Sequence, residues 1–107
     1  MFSVNYTFCV TNSYYAHFMA WVSKELFPML LEVRPGVEIR FQKLLIEDPS
    51  QDLSFSVQCC GMGAQELKEF DESVSEKMLP RLTECFQGEV QFFRTFLKEM
   101  NVEEAVD

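Results

Sequence analysis

Four cysteines are the most reactive side chains of this sequence, and two of them, Cys59 and Cys60, are adjacent in the run LSFSVQCCG. A thiolate is a nucleophile and a soft metal ligand, so the doublet raises the question of a redox site or a metal site. The sequence supports neither, because it lacks a CxxC motif and its one histidine, His17, cannot form a multi-histidine metal site. We therefore predict no metal and no cofactor, and we interpret the cysteines as reduced structural thiols.

Polar residues on strand-like segments are the candidates for a ligand-binding site. They are Asn5, Thr7, Arg40, Gln58, Arg94 and Thr95. Their amide, hydroxyl and guanidinium groups would line a small-molecule pocket if they converged on one face of a sheet. Arg94 is ambiguous, because strict alternation places it on the other face with Phe92 and Phe96. A β-bulge would bring it to the polar face, and a structural salt bridge to an acidic helix residue is the alternative.

No residue is assigned a catalytic role. His17 would be a general base only if a pocket opened beside it, and otherwise it is a surface residue of an amphipathic helix. The acidic residues Glu66, Glu69, Asp71 and Glu72 are typical of a solvated helix face. The sequence also lacks a glycine-rich phosphate loop and a Ser-His-Asp arrangement, so whether the protein is an enzyme stays open.

Hydrophobic periodicity defines the elements that must position these side chains. Strict alternation predicts strands over residues 2–10, 37–46, 53–60 and 89–97. Helical spacing predicts one helix after the capping residues Thr11 to Ser13 and a second helix over residues 64–86. The resulting order is β-α-β-β-α-β.

Other sequence signals set the boundaries of these elements. Pro28 and Pro80 are expected to break or kink the two helices near their ends. Residues 47–52 are predicted to form a polar hairpin loop. The length favours a single domain over residues 1–100, followed by an acidic tail over residues 101–107.

This order predicts an α+β, ferredoxin-like fold, with a four-stranded antiparallel sheet and two helices on one face. We expect right-handed crossovers to place the first and third strands in the centre as parallel neighbours. Cys59 would then face the helices and Cys60 the other side of the sheet. Cys9 and Cys60, which end these two strands, would approach each other as a pair.

The sheet face away from the helices carries mostly uncharged, hydrogen-bonding side chains. A freely solvated face would more often carry Lys and Glu, whereas paired hydroxyl and amide groups can be covered at modest cost. We therefore predict a homodimer in which two such faces pack together about a two-fold axis, as in a dimeric α+β barrel. A hydrated sheet face on a monomer is the alternative.

Composition argues against several classes of partner. The formal net charge is −8 and the nine Lys and Arg residues are scattered, so nucleic acid and membrane surfaces are unfavourable partners. No apolar run approaches the length of a membrane span, and the start MFSVNYTFCV lacks the basic region of a signal peptide. These features predict a cytoplasmic protein whose thiols stay reduced.

Four segments in a fixed order resemble one protein family: VNYT, a W-x(6)-P helix from Trp21 to Pro28, FSVQ and FFRTFL. The chain resembles the small bacterial proteins known as domain of unknown function 4286 over nearly its whole length. The resemblance implies a dimeric α+β barrel, related in architecture to antibiotic-biosynthesis-type monooxygenases, with no assigned biochemical role. The family's His-Ile-Pro run is replaced here by Leu26, Phe27 and Pro28, so a chemical role of that histidine would be absent.

Three functions are compatible with these observations. The first is a small homodimer that binds a small molecule between its two sheets. The second is a cofactor-independent monooxygenase or isomerase, because a pocket can supply position where the substrate supplies reactivity. The third is a structural protein-interaction module without a ligand. A cavity lined by Asn5, Thr7 and Gln58 would favour the first two, and a face filled by side chains would favour the third.

Overall fold

The computed structural model describes residues 1–45 and 52–105 of the 107-residue chain. The elements are β1 (Phe2–Val10), α1 (Tyr15–Trp21), a π-helical segment (Val22–Leu26), α2 (Phe27–Val33), β2 (Glu38–Lys43), β3 (Leu53–Met62), α3 (Ala64–Phe86) and β4 (Val90–Lys98), with short 3-10 helices at Asn12–Tyr14 and Val102–Ala105. This order confirms the predicted β-α-β-β-α-β arrangement. β2 is shorter than the predicted strand over 37–46. Apart from Asp52, the predicted loop over 47–52 lies outside the described residues.

The helices continue past both prolines, so a break at Pro28 or Pro80 is wrong, whereas a kink at each stays a prediction. Pro28 has no N–H to donate to the carbonyl of Lys24. The helix widens before it, and the N–H of Phe27 donates to the carbonyl of Val22, five residues back, as in a π-helix. Pro80 lies inside α3, which continues for six more residues. Each proline therefore removes one backbone donor without ending its helix.

The sheet has the strand order β2-β3-β1-β4, and all three pairings are antiparallel. This is the ferredoxin-like topology, but the expectation that β1 and β3 run parallel is wrong. The helical crossover makes β1 and β2 parallel, and the β2–β3 hairpin then reverses the chain, so β3 must run antiparallel to β1.

The direction of β3 also separates the two cysteines that the parallel arrangement would have brought together. Cys9 pairs with Ser54 at the start of β3. Cys60 lies six residues further along β3, which places it about 20 Å from Cys9 at roughly 3.4 Å per residue. The predicted approach of Cys9 and Cys60 is therefore excluded by the fold.

The helices cover one face of the sheet and bury an aromatic core against it. Phe8, in the middle of β1, is fully buried. Its ring centroid lies 5.4 Å from that of Phe18 and 6.1 Å from that of Trp21. From α3, Phe86 packs edge-on against Trp21 at 5.5 Å. This core determines which strand positions face the helices and which remain uncovered.

Candidate functional site

The open face, defined as the side of the sheet away from the helices, carries five of the six predicted ligand-binding residues. Its side chains come from alternate positions of the four strands: Ser3, Asn5, Thr7 and Cys9; Glu38, Arg40 and Gln42; Ser54, Ser56, Gln58 and Cys60; and Gln91, Phe93, Thr95 and Leu97. The pairing register aligns Arg40, Gln58, Asn5 and Thr95 in one row across all four strands. Thr7 stands in the next row.

The polar side chains at the centre of the open face satisfy one another. Asn5 Nδ2 donates to Thr7 Oγ1 at 2.9 Å, and Ser56 Oγ donates to Asn5 Oδ1. Gln58 Nε2 donates to Ser3 Oγ at 3.1 Å. Ser3 and Thr7 are only 8% and 7% exposed although no helix covers them. A polar surface whose hydrogen bonds are already made can be covered with little loss of hydration.

A depression with a volume of about 500 Å³ opens at one end of the open face. Its walls include Ser3, Glu38, Arg40, Gln58, Cys60 and Leu97. The register of β3 shifts here by one residue, and Gly61 takes up the shift with φ +83°, a backbone conformation that favours glycine. Of the predicted residues, Arg40 and Gln58 line the depression, whereas Asn5, Thr7 and Thr95 lie outside it.

One pair of opposite charges in the depression, Glu38 and Arg40, forms a salt bridge, and Lys98 and Glu99 also line the depression. Arg40 Nε and Nη2 donate to Glu38 Oε1 at 3.3 and 3.2 Å. The hydrogen bond and charge of Glu38 raise the pKa of Arg40 above its ordinary value. Burial raises the pKa of the Cys60 thiol, and the charge of Arg40 offsets only part of that rise. The depression therefore presents hydrogen-bonding groups, a neutral thiol and no net charge from the Glu38–Arg40 pair.

The thiol of Cys60 is expected to react slowly with iodoacetamide at neutral pH and faster as the pH rises. A raised pKa lowers the thiolate fraction at any given pH, and the thiolate is the reacting form. Cys9→Ser is expected to leave this rate unchanged, because the two sulfurs are about 20 Å apart along β3. Mass spectrometry of the labelled peptides measures both rates. A change of more than about twofold in Cys60 alkylation on Cys9→Ser would contradict the strand directions.

Arg94 does not join the other predicted residues, and its salt bridge to a helix residue explains its position. It lies on the helix side of β4, where its Nη1 donates to Asp71 Oδ2 at 2.9 Å and to Ser75 Oγ at 2.8 Å, both on α3. The hydroxyl of Tyr6 donates to Asp71 Oδ1 at 2.9 Å. Burial, the charge of Asp71 and this hydrogen bond raise the pKa of Tyr6 well above its ordinary value.

Asp71 is a structural residue that the sequence interpretation missed. It was expected on a solvated helix face, yet it is 5% exposed. The available signal was its spacing: it stands four residues after Leu67 and three before Val74, within the buried stripe of α3. The other three residues of the acidic run, Glu66, Glu69 and Glu72, are exposed as predicted.

His17 lies on the helix side, away from the open face. Its ring is 4.7 Å from that of Phe86 between centroids and stacks on Tyr14 at 6.0 Å, while the residue remains exposed. Within residues 1–45 and 52–105, no three His, Cys, Asp or Glu side chains are grouped to hold a metal ion. None of the helices over the same ranges is long and apolar enough to cross a membrane.

Comparison with known proteins identifies a family but no curated relative. A sequence model of the family described as Domain of unknown function (DUF4286) matches residues 1–100. No curated protein matches the chain.

Several solved structures share the architecture at low sequence identity. A dimeric ferredoxin-like protein from an uncultured marine organism is similar with a TM-score of 0.67 and 10% identity, over 94% of this chain and 97% of that chain. A second such protein gives 0.56 and 11%, over 94% and 97%. An uncharacterized NIPSNAP domain protein from Burkholderia xenovorans gives 0.65 and 11%, over 95% and 97%. At these identities the similarity shows the ferredoxin-like fold alone.

Proposed function

The chain belongs to the DUF4286 family, and from this premise we propose that it is a homodimer that binds a small molecule between the open faces of its two sheets. The observation that carries the proposal is the character of the open face. Its centre is uncharged and internally hydrogen-bonded, and beside it Phe93 and Leu97 are 56% and 41% exposed. A face of this kind loses little hydration and gains apolar contact when a second sheet covers it.

The size of the open face is suited to such an interface. The four strands have nine, six, ten and nine residues in chain order, and they lie about 4.8 Å apart at roughly 3.4 Å per residue. The resulting area of roughly 550 Å² is about two-thirds of the roughly 800 Å² per partner that is typical of stable interfaces. The two structural relatives described as dimeric ferredoxin-like proteins support the same assembly for this fold.

The depression is the proposed ligand position. A second sheet laid over the open face would close it, and water would be excluded from Ser3, Gln58 and the Glu38–Arg40 pair. The Glu38–Arg40 pair is compensated, and the other charged residues of the wall, Lys98 and Glu99, are of opposite sign. The fitting ligand is therefore a small molecule with hydrogen-bonding groups and no net charge. The uncharged amide of Gln58, which is half-buried, is the residue best placed to orient it.

The proposed location is the cytoplasm. All four cysteines are free thiols in the structure, and unpaired thiols persist in reducing compartments. The charged side chains Glu38, Arg40, Lys98 and Glu99 of the depression balance in sign, and the overall charge is −8, which favours a neutral ligand over nucleic acid or an anionic membrane.

Native mass spectrometry of the freshly purified protein tests the proposal. We expect twice the chain mass of 12.5 kDa together with a small retained mass. Gln58→Leu should lower the fraction of dimer carrying that mass by at least about tenfold, because it removes a hydrogen bond to the ligand and leaves a ligand group unpaired.

Gln42→Leu is the matched control for this experiment. Gln42 lies on the same open face but outside the depression, so the retained mass should persist in this variant. A dimer without any retained mass would contradict the ligand and favour a structural interaction module. A monomer would contradict the whole proposal.

A further inference from the structure

We propose that the groove between α3 and β4 is a second ligand site, which binds a monocarboxylate with a hydrophobic body. This groove lies on the helix side of the sheet, so the proposal goes beyond the open-face dimer and does not depend on it. Its volume is about 570 Å³, within the range of small-molecule pockets. Its walls include Ala64, Leu67, Lys68, Ser75, Arg94 and Phe96.

The polar end of the groove is a guanidinium held in place by a buried carboxylate. Asp71 is 5% exposed and receives hydrogen bonds from Tyr6 and Arg94. Arg94 uses one nitrogen, Nη1, for Asp71 and Ser75. Within the described part of the chain, Arg94 Nε and Nη2 donate to no acceptor, and the side chain is 46% exposed. A fixed guanidinium with unused donors is preorganised to bind a carboxylate.

Apolar side chains also line the groove, close to this guanidinium. Leu67 on α3 lines the groove and is 6% exposed, whereas Phe96 on β4 is 53% exposed. The guanidinium carbon of Arg94 lies 5.9 Å from the centroid of the Phe96 ring. An exposed aromatic ring beside a fixed cation fits a molecule that has an acidic head and a hydrophobic body, because both parts would be desolvated together.

The charges around the groove favour a single negative charge on the ligand. Asp71 and Glu72 formally balance Arg94 and Lys68, so the groove has no net positive charge to hold a dianion such as phosphate. A monocarboxylate needs only the hydrogen-bonding geometry of one guanidinium, with Lys68 at the wall as an additional cation. These features select an organic monoacid over inorganic phosphate.

Titration of the isotope-labelled full chain with octanoate, followed by nuclear magnetic resonance, tests the proposal. We expect shift changes in the α3 segment 64–75 and in β4 around Arg94 and Phe96. Octanol and octylammonium should bind at least about tenfold more weakly than octanoate, because they cannot accept charge-assisted hydrogen bonds from the guanidinium.

Two variants are designed to change the proposed site and leave the fold intact. Arg94→Gln combined with Asp71→Asn removes the guanidinium without leaving a buried unpaired charge, and Phe96→Ala changes only an exposed side chain. Each should weaken octanoate binding, the first by at least about tenfold. Arg34→Gln is the control, because Arg34, like Arg94, is paired with a carboxylate of α3, here Glu66 at 2.7 Å, but lies outside this groove.

Three results would overturn the proposal. The first is equal affinity for octanoate and octanol. The second is an octanoate affinity that Phe96→Ala and the Arg94 double variant leave unchanged. The third is a set of shift changes confined to the open-face residues Arg40, Gln58 and Cys60, which would assign the ligand to the depression. None of these results would contradict the open-face dimer, and a monomeric protein would not contradict the groove.

Discussion

The Phe93→Glu variant is expected to be a monomer at concentrations at which the unmodified chain is a dimer. Phe93 projects from the open face and is 56% exposed in the single chain. In the proposed dimer its ring is covered by the second sheet, and a carboxylate in its place would be buried without a partner on both chains. We expect the dimer dissociation constant to rise by at least about 100-fold, measured by light scattering during size-exclusion chromatography.

Phe96→Glu is the matched control for this substitution. Phe96 has the same residue type, stands on the same strand and is 53% exposed, but it lines the groove on the helix side. The variant carries the same added charge and should remain a dimer. Dissociation by both substitutions, or by neither, would contradict an interface that uses the open face.

Asp71→Ala is expected to lower the free energy of unfolding by about 2–3 kcal/mol. The substitution leaves the hydroxyl of Tyr6 without an acceptor in a position where the residue is 0% exposed. The loss of the ion pair itself adds little, because the Arg94 side chain is 46% exposed and can be hydrated. Thermal unfolding at equal protein concentration should show a midpoint lower by about 10 °C.

Glu72→Ala is the control for this substitution, because it removes a neighbouring carboxylate of α3 that takes no part in the buried network of Tyr6, Asp71 and Arg94. Glu72 is exposed, so its removal should change stability by no more than about 0.5 kcal/mol. Tyr6→Phe combined with Asp71→Ala should be less destabilising than the sum of the two single substitutions, because the donor and the acceptor are removed together. An Asp71→Ala effect as small as that of Glu72→Ala would contradict the importance of the network.

The sequence predicted the elements and the two faces of the sheet because both depend on local periodicity. Alternation along β1 correctly separated Tyr6 and Phe8, which are buried, from Asn5, which stands on the open face. Helical spacing predicted the bounds of α3 at Ala64 and Phe86. The row that joins Arg40, Gln58, Asn5 and Thr95 required the register, which depends on pairing between segments far apart in the chain.

The predictions that were wrong depended on the arrangement of whole elements rather than on local periodicity. The direction of β3 relative to β1 follows from counting chain reversals through the whole topology, and the expected Cys9–Cys60 pair rested on that direction. The position of Arg94 could be narrowed to a salt bridge with an acidic helix residue. The spacing of Asp71 within the buried stripe of α3 was a signal for its burial, but its hydrogen bonds with Tyr6 and Arg94 depend on how α3 packs on the sheet. Local spacing can therefore indicate that a carboxylate is buried, but tertiary contact decides which donors it receives.

The two proposed ligand positions lie on opposite sides of one sheet, and neither depends on the other. The open face requires a second chain to close the depression, whereas the groove between α3 and β4 is complete within one chain. Phe93 belongs to the first surface and Phe96 to the second. Substitution of Phe93 should therefore change assembly and leave octanoate binding unchanged. Substitution of Phe96 should weaken octanoate binding and leave assembly unchanged.

Sedimentation equilibrium of the unmodified chain at micromolar concentration tests the central claim most directly. The open-face homodimer predicts a single species with twice the chain mass of 12.5 kDa. In the proposed dimer the second chain closes the depression and covers Phe93, which is 56% exposed in the single chain, so the proposed small-molecule site depends on this result. A single species of 12.5 kDa under the same conditions would contradict the dimer and the ligand site between its sheets.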